Sequence, residues 1–166
     1  MARIDAETAG GSNVLAFLDT IGLSELGAGL ITPDTDDGYQ VIVGSTPENP
    51  DLFTDYSDHP RKLVPLGNLG IKSTAAGKYQ ILAHIYDVYK VQLKLPDFSP
   101  VSQDLIALQM IKECHAIQSL QNGDINTALT SCSSRWASLP AATYGQHTNS
   151  IAALTADYES AGGTVS

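Results

Sequence analysis

Helical periodicity accounts for most of this 166-residue chain, and one window, roughly residues 39–58, interrupts it with β-type patterning. That single interruption limits the fold more than any other feature. "DTDDGYQVIVGS" joins turn chemistry at Asp36–Asp37–Gly38 to a β-branched run, Val41–Ile42–Val43. "LFTDYSDHP" then alternates apolar and polar residues. The window predicts a small antiparallel hairpin or three-stranded sheet, followed by the irregular "RKLVPLGNLGIKS". A sheet this small beside so much helix is segregated to one side, which makes the expected class α+β. A groove between such a sheet and the helices is where a ligand is expected to bind.

The helices announce themselves. One is expected from about Ser12 to Glu25, capped by Ser12 or Asn13 and stopped by Gly27 and Gly29. "TAAGKYQILAHIYDVYKVQL" aligns Tyr79, Leu82, Tyr86, Tyr89 and Leu93, whose simplest reading is core and rim. "FSPVSQDLIALQMIKECHAI" opens with a Ser99 cap and Pro100 at the first helical position. Ile125, Leu129, Cys132 and Trp136 share a third face, and Ile151, Leu154 and Tyr158 a fourth. Residues 1–11, small and polar and ending "AGG", read as a flexible arm ahead of one domain over 12–166.

A hydrophobic fraction of 43% with 16% charged residues is ordinary for a globular domain, and the length suits one core. The net charge of −9, with nine scattered basic residues, argues against nucleic acid, which needs a clustered positive field. No apolar run is long enough for a bilayer, so no stable membrane association is expected. "MARIDAETAGGSN" lacks an apolar core and a small-residue cleavage site, so the expectation is a protein made in the cytosol. Cys114 and Cys132 are expected as buried free thiols. With His115 and His147 they fit no zinc spacing, and no metal or cofactor is expected. His59 beside Asp58 has no nucleophile motif to serve, and "AAGK" lacks the glycine and the hydroxyl residue of a phosphate loop.

One residue stands out. Val14, Leu18 and Ile21 form the apolar stripe of the first helix, and the next position on that arc is Glu25, followed at once by glycines. A carboxyl facing the interior loses hydration and holds its proton to higher pH, as a general acid in glycosidic cleavage requires. The glycines leave room beside it. The plainer alternative is a helix-end glutamate reaching water or a cation. Asp34, Asp36, Asp37, Asp55 and Asp58 are candidates for a second carboxylate, and spacing singles out none of them.

The wording of the chain resembles the lambda-type phage endolysins, a family of lytic transglycosylases. "AFLD", "SE", "GY", "VIVG", "LFTDYSDHPRKLV", "AGKYQ", "DFSPVSQD", "IKE", "GDI", "WASLP", "YGQ" and "AGGTV" carry the resemblance from about residue 14 to the end. It implies a lysozyme-like, mainly helical domain with a small antiparallel sheet lobe flanking a cleft. It implies cleavage of the β-1,4 bond between N-acetylmuramic acid and N-acetylglucosamine in peptidoglycan, with Glu25 as the catalytic acid. The C6 hydroxyl of the muramic acid then attacks C1 in place of water, leaving a 1,6-anhydro end, so a second carboxylate is not required. Gln40, Tyr79, Gln80, Tyr144 and Gln146 map onto substrate-binding positions, with Tyr144 either stacking on a sugar or covering a core edge. The partner is a glycan strand, the expected state a monomer, and access to the wall depends on a holin that releases the protein from the host cytoplasm. Departures are Leu26–Gly27 in place of a glycine and a threonine, Ala75 in place of glycine, Gln40 in place of an aspartate, and an insertion near Thr46–Pro50. Two alternatives stay open: a hydrolytic muramidase using water, and a glycan-binding module without turnover.

Overall fold

The computed structural model describes residues 1–67, 70–140 and 149–166. The chain, expected as one domain over residues 12–166, divides into two compact units, one of residues 1–25 and 107–166 and one of residues 26–106.

The first unit is helical. The expected arm holds a one-turn helix, α1 (Ala6–Ala9), capped by Asp5, whose carboxylate accepts from the Thr8 N–H at 2.7 Å. Ile4 and Ala9 are buried, and the Gln121 amide donates to the Gly10 carbonyl at 2.8 Å. Composition suggested a loose segment because two apolar residues among small ones give little periodic signal. α2 (Ser12–Leu26) follows, with Val14, Phe17, Leu18 and Ile21 wholly buried. The rest of the unit is the C-terminal half of α4 (Pro100–Glu113), then α5 (Ile117–Gln121), α6 (Ile125–Cys132) and α7 (Ile151–Ser160). α6 buries Ile125, Leu129 and Cys132 as its spacing requires, and Trp136 is buried just beyond it. Leu154 and Tyr158 are buried on α7, whereas Ile151, at the first turn, is exposed. Cys114 is half-buried and Cys132 buried, both as free thiols; burial, with Cys114 alongside, pushes the Cys132 thiol well up.

The second unit holds the sheet, though not where the β-branched run pointed. Among the described residues the two strands are β1 (Val64–Leu66) and β2 (Ile71–Ser73), antiparallel, with Pro65 opposite Lys72. They lie in the stretch that read as irregular. Val41–Ile42–Val43 instead makes isolated bridges to both sides, Val41 to Leu52 and Ile42 to Ala76. Left-handed residues at Asp36, Asp37 and Gly38 before it, and at Gly44 after it, leave too short an extended run for a ladder. Burial, 1% exposure at Val41 and 4% at Ile42, is what its β-branched character encoded.

α3 (Ala83–Gln92) is shorter than its periodicity suggested. Gly77 and Gln80 both take positive φ, and Ala76 bridges to Ile81, so residues 74–82 form a tight reversal before the helix. Gly77 has to be glycine: φ is +79°, and a Cβ would lie 2.1 Å from the Gln103 Oε1. Gln103 is fully buried; its amide donates to the carbonyls of Tyr39 (3.2 Å) and Phe98 (3.0 Å), and its oxygen accepts from the Lys78 N–H at 3.0 Å. Beside it on α4, Asp104 is wholly buried and accepts from the hydroxyls of Tyr39 and Tyr79, each at 2.6 Å. An aromatic cluster completes the core, with Phe98 against His59 (ring centroids 4.7 Å), Tyr86 (5.0 Å) and Phe53 (5.9 Å).

Asp104→Ala removes the shared acceptor of two buried hydroxyls. The expected loss is roughly 2–4 kcal/mol of unfolding free energy, read as a lower urea midpoint. His59 supplies a pH dependence. Its pKa lies below the ordinary histidine value, chiefly through burial. The unfolded chain therefore binds the proton more readily, and this contribution to stability fades as pH falls through the unfolded value of about 6.5. In His59→Asn, where no ring titrates, the fall of the urea midpoint between pH 7.5 and 5.5 should be smaller than in the parent.

Candidate active site

The helix stripe decides where the carboxyl goes. Val14, Leu18 and Ile21 are at 0% exposure, and Glu25 continues their arc. Gly27, at φ +73°, ends the helix immediately after. Glu25 is half-buried, and its pKa is raised above the ordinary carboxylate value. Burial is the main cause, and the Ser138 hydroxyl and backbone N–H oppose it by favouring the charged form. Among the described residues no cation contributes to that balance.

Ser138 lies 113 residues away in sequence and donates its hydroxyl to Glu25 Oε1 at 2.5 Å. Its place is fixed from both sides. Trp136 and Leu139 are buried at 3% and 1% exposure, and the turn is closed by Trp136 N–H to the Cys132 carbonyl (3.2 Å) and Leu139 N–H to the Trp136 carbonyl (3.1 Å). Ser24 donates to Ser138 at 2.9 Å, and the Asn149 amide donates to Ser24. Neither Ser138 nor Asn149 was identified from sequence. Only their adjacency in space to Glu25 marks them, and no local pattern records it.

The glycines after Glu25 differ in what they provide. A Cβ on Gly27 would meet none of the described residues within 4 Å. A Cβ on Gly29 would lie 2.6 Å from Pro47 Cγ, so that space belongs to the inserted loop. Leu26, one of the departures from the family pattern, packs its Cδ1 over Gly38, at 2.7 Å from where a Cβ would be.

The other expected site residues have different fates. Gln40 is half-buried, its carbonyl accepting from Phe53 N–H at 3.0 Å. Gln80 is half-buried in the left-handed region, and its amide donates to the carbonyls of Gly77 (3.0 Å) and Val41 (3.4 Å). Tyr79 requires correction. It is 1% exposed with its hydroxyl on Asp104, a core residue with no face for a sugar. Tyr144 and Gln146 lie outside the described residues, as does His147.

The aspartates weighed as a second carboxylate are largely engaged elsewhere. Asp36 accepts from the Tyr56 hydroxyl at 2.6 Å, and Asp55 from Ser57 N–H at 2.8 Å. Asp58 is held by Arg61 (2.9 Å) and Lys90 (3.2 Å), and the Arg61 hydrogen bond is the main reason its pKa is drawn down to about 2. His59 cannot serve as a base, because Nε2 donates to the Ile81 carbonyl (2.9 Å) and Nδ1 accepts from Arg61 N–H (3.0 Å). Lys78 of "AAGK" is buried, its ammonium 5.1 Å from the Tyr39 ring centre.

A shielded carboxyl near the end of α2, in a mainly helical chain with a small two-stranded antiparallel sheet among the described residues, defines a lysozyme-like protein. Two solved structures agree: bacteriophage lambda lysozyme complexed with a chitohexasaccharide (TM-score 0.81, 47% identity) and lysozyme from bacteriophage lambda (0.82, 46%), each covering 100% of both chains. The endolysin of Escherichia phage lambda is 51% identical over 150 residues, 90% of this chain and 91% of that one. The endolysin of Escherichia phage P2 is 43% identical over 155 residues, 91% and 93% of the two chains. The Endolysin family model matches residues 15–165, and the chain belongs to that family. It is a lysozyme-like, wall-degrading enzyme.

Burial of Glu25 predicts a stability effect with a definite sign. Its folded pKa exceeds the unfolded one, so ionisation destabilises the native state as pH rises. Glu25→Gln can still accept from Ser138 and cannot ionise. It should melt higher than the parent at pH 7, with the difference vanishing below about pH 4, as followed by circular dichroism.

Proposed function

We propose that this endolysin is a lytic transglycosylase of peptidoglycan, cutting the β-1,4 bond between N-acetylmuramic acid and N-acetylglucosamine, with Glu25 as the catalytic acid. The observation that carries the reading is a carboxyl whose proton is favoured by burial, with no cation among the described residues to offset it. Such a group can protonate the leaving oxygen of a glycosidic bond. Once ionised, it can accept the proton of the muramic acid C6 hydroxyl as that oxygen closes onto C1. No water enters, and one carboxyl performs both steps. The engagement of Asp36, Asp55 and Asp58 in structural bonds favours this internal nucleophile over a water held by a second carboxylate.

A glycan strand as ligand is supported by the chitohexasaccharide bound in the lambda lysozyme structure. Gln40 and Gln80 are the described positions offered as sugar contacts, joined by Tyr144 and Gln146 from the family resemblance. The net charge of −9 gives an anionic wall no overall attraction, so binding rests on these local contacts. The protein acts as a monomer, waiting in the host cytoplasm for a holin to open its way to the wall.

Two measurements test the reading together. Glu25→Gln should lower the rate of peptidoglycan cleavage by about 10²–10⁴-fold while wall binding persists. Mass spectrometry of fragments from the parent enzyme should show anhydro ends, each one water lighter than a reducing end. Reducing ends would assign a hydrolytic muramidase, and full activity in Glu25→Gln would remove Glu25 from the chemistry.

A further inference from the structure

The hydrogen bonds behind Glu25 have a direction that the donors themselves fix. Asn149 Nδ2 lies 3.2 Å from the Ser24 carbonyl oxygen, which can only accept, so the amide presents its nitrogen to Ser24. The same nitrogen lies 3.0 Å from Ser24 Oγ and must donate to it as well. The Ser24 hydroxyl hydrogen is then left for Ser138 Oγ, 2.9 Å away. Ser138, already accepting, turns its own hydrogen to Glu25 Oε1 at 2.5 Å. The Asn149 N–H donates to the Ser138 carbonyl at 3.2 Å, which ties both ends of the chain to one backbone turn.

We infer that Asn149, Ser24 and Ser138 form a one-way chain of donors that holds Oε1 of Glu25 as an acceptor and confines the transferable proton to Oε2. The inference rests on the reading of Glu25 as the acid. The three residues are positioning residues and transfer no proton. Ser138 keeps its hydrogen while Oε2 gives its proton to the glycosidic oxygen and later takes one from the C6 hydroxyl. A carboxyl without this constraint divides its proton between two oxygens and rotates about its last bond, so fewer of its orientations are productive. Ser138 also stabilises the ionised form, through its hydroxyl and its backbone N–H, against the effect of burial. Among the described residues no charged group from any element acts on the carboxyl, so a change at Ser138 has one titrating target.

The test is the pH profile of kcat on purified peptidoglycan for four variants. In Ser138→Ala, kcat should fall about tenfold with KM held, and the alkaline limb should move to higher pH because the ionised carboxyl has lost a donor. Ser138→Thr keeps the hydroxyl and should restore both the rate and the limb. Asn149→Ala, an exposed position, should move the limb in the same direction by less; it remains informative should Ser138→Ala fail to fold by circular dichroism. Glu25→Gln separates the two claims. An inactive Glu25→Gln with unmoved limbs in Ser138→Ala and Asn149→Ala overturns the donor chain and leaves the acid assignment standing. An active Glu25→Gln overturns the acid and, with it, the chain.

Discussion

Taking one carboxyl out of water is the constraint around which the first unit is arranged. A glutamate on the buried arc of an amphipathic helix is unfavourable unless something answers its oxygens. Val14, Leu18 and Ile21 draw that arc inward, Gly27 ends the helix before the chain can carry the carboxyl back to solvent, and Ser138 supplies a neutral donor. A neutral donor matters. An arginine or lysine there would hold the group ionised at neutral pH and remove the proton that acid catalysis uses. Asp58, held by Arg61 and Lys90 in the same chain, shows the opposite outcome, a carboxylate drawn down to about 2. Two environments thus set two acidic residues apart, one pushed above the ordinary carboxylate value and one drawn well below it.

The second unit solves a different problem, holding short, irregular backbone in fixed positions. Among the described residues its extended segments form two three-residue strands and isolated bridges. Side chains on α4 therefore supply order that ladders elsewhere provide. Gln103 ties Tyr39, Lys78 and Phe98 through their backbone groups, and Asp104 gathers the hydroxyls of Tyr39 and Tyr79. Buried networks of this kind fix geometry when every member is answered. Gln40 follows Tyr39 and Gln80 follows Tyr79, so the two residues offered as sugar contacts each adjoin an anchor bound to Asp104. Tyr79 was expected to touch substrate; it is instead buried with its hydroxyl on Asp104.

What could be read from the residues follows from what is local. The stripe ending in Glu25, the Pro100 start of α4 and the buried face of α6 depend on spacing within a few turns, and the structure reproduces them. Val41–Val43 misled because β-branched character reports burial as well as strand pairing, and the left-handed residues on each side are not encoded by that run. Gln80 at φ +48° carries no local signal, and the reversal it completes cut α3 short. The sheet strands were hidden by Pro65 and flanking glycines, which read as irregular although a two-stranded ribbon has only edges and tolerates them. Ser138 and Asn149 were invisible for a stronger reason. Their relation to Glu25 exists only once more than a hundred residues have folded between them.

The account turns on Glu25 retaining its proton to a higher pH than an ordinary glutamate. Carbon NMR of the protein labelled at glutamate side-chain carboxyls, with Glu25→Gln identifying the resonance, measures this without reference to turnover. The Glu25 titration midpoint should lie clearly above the ordinary glutamate value of about 4.3. A Glu25 midpoint at or below that ordinary value would contradict the assignment of Glu25 as the acid.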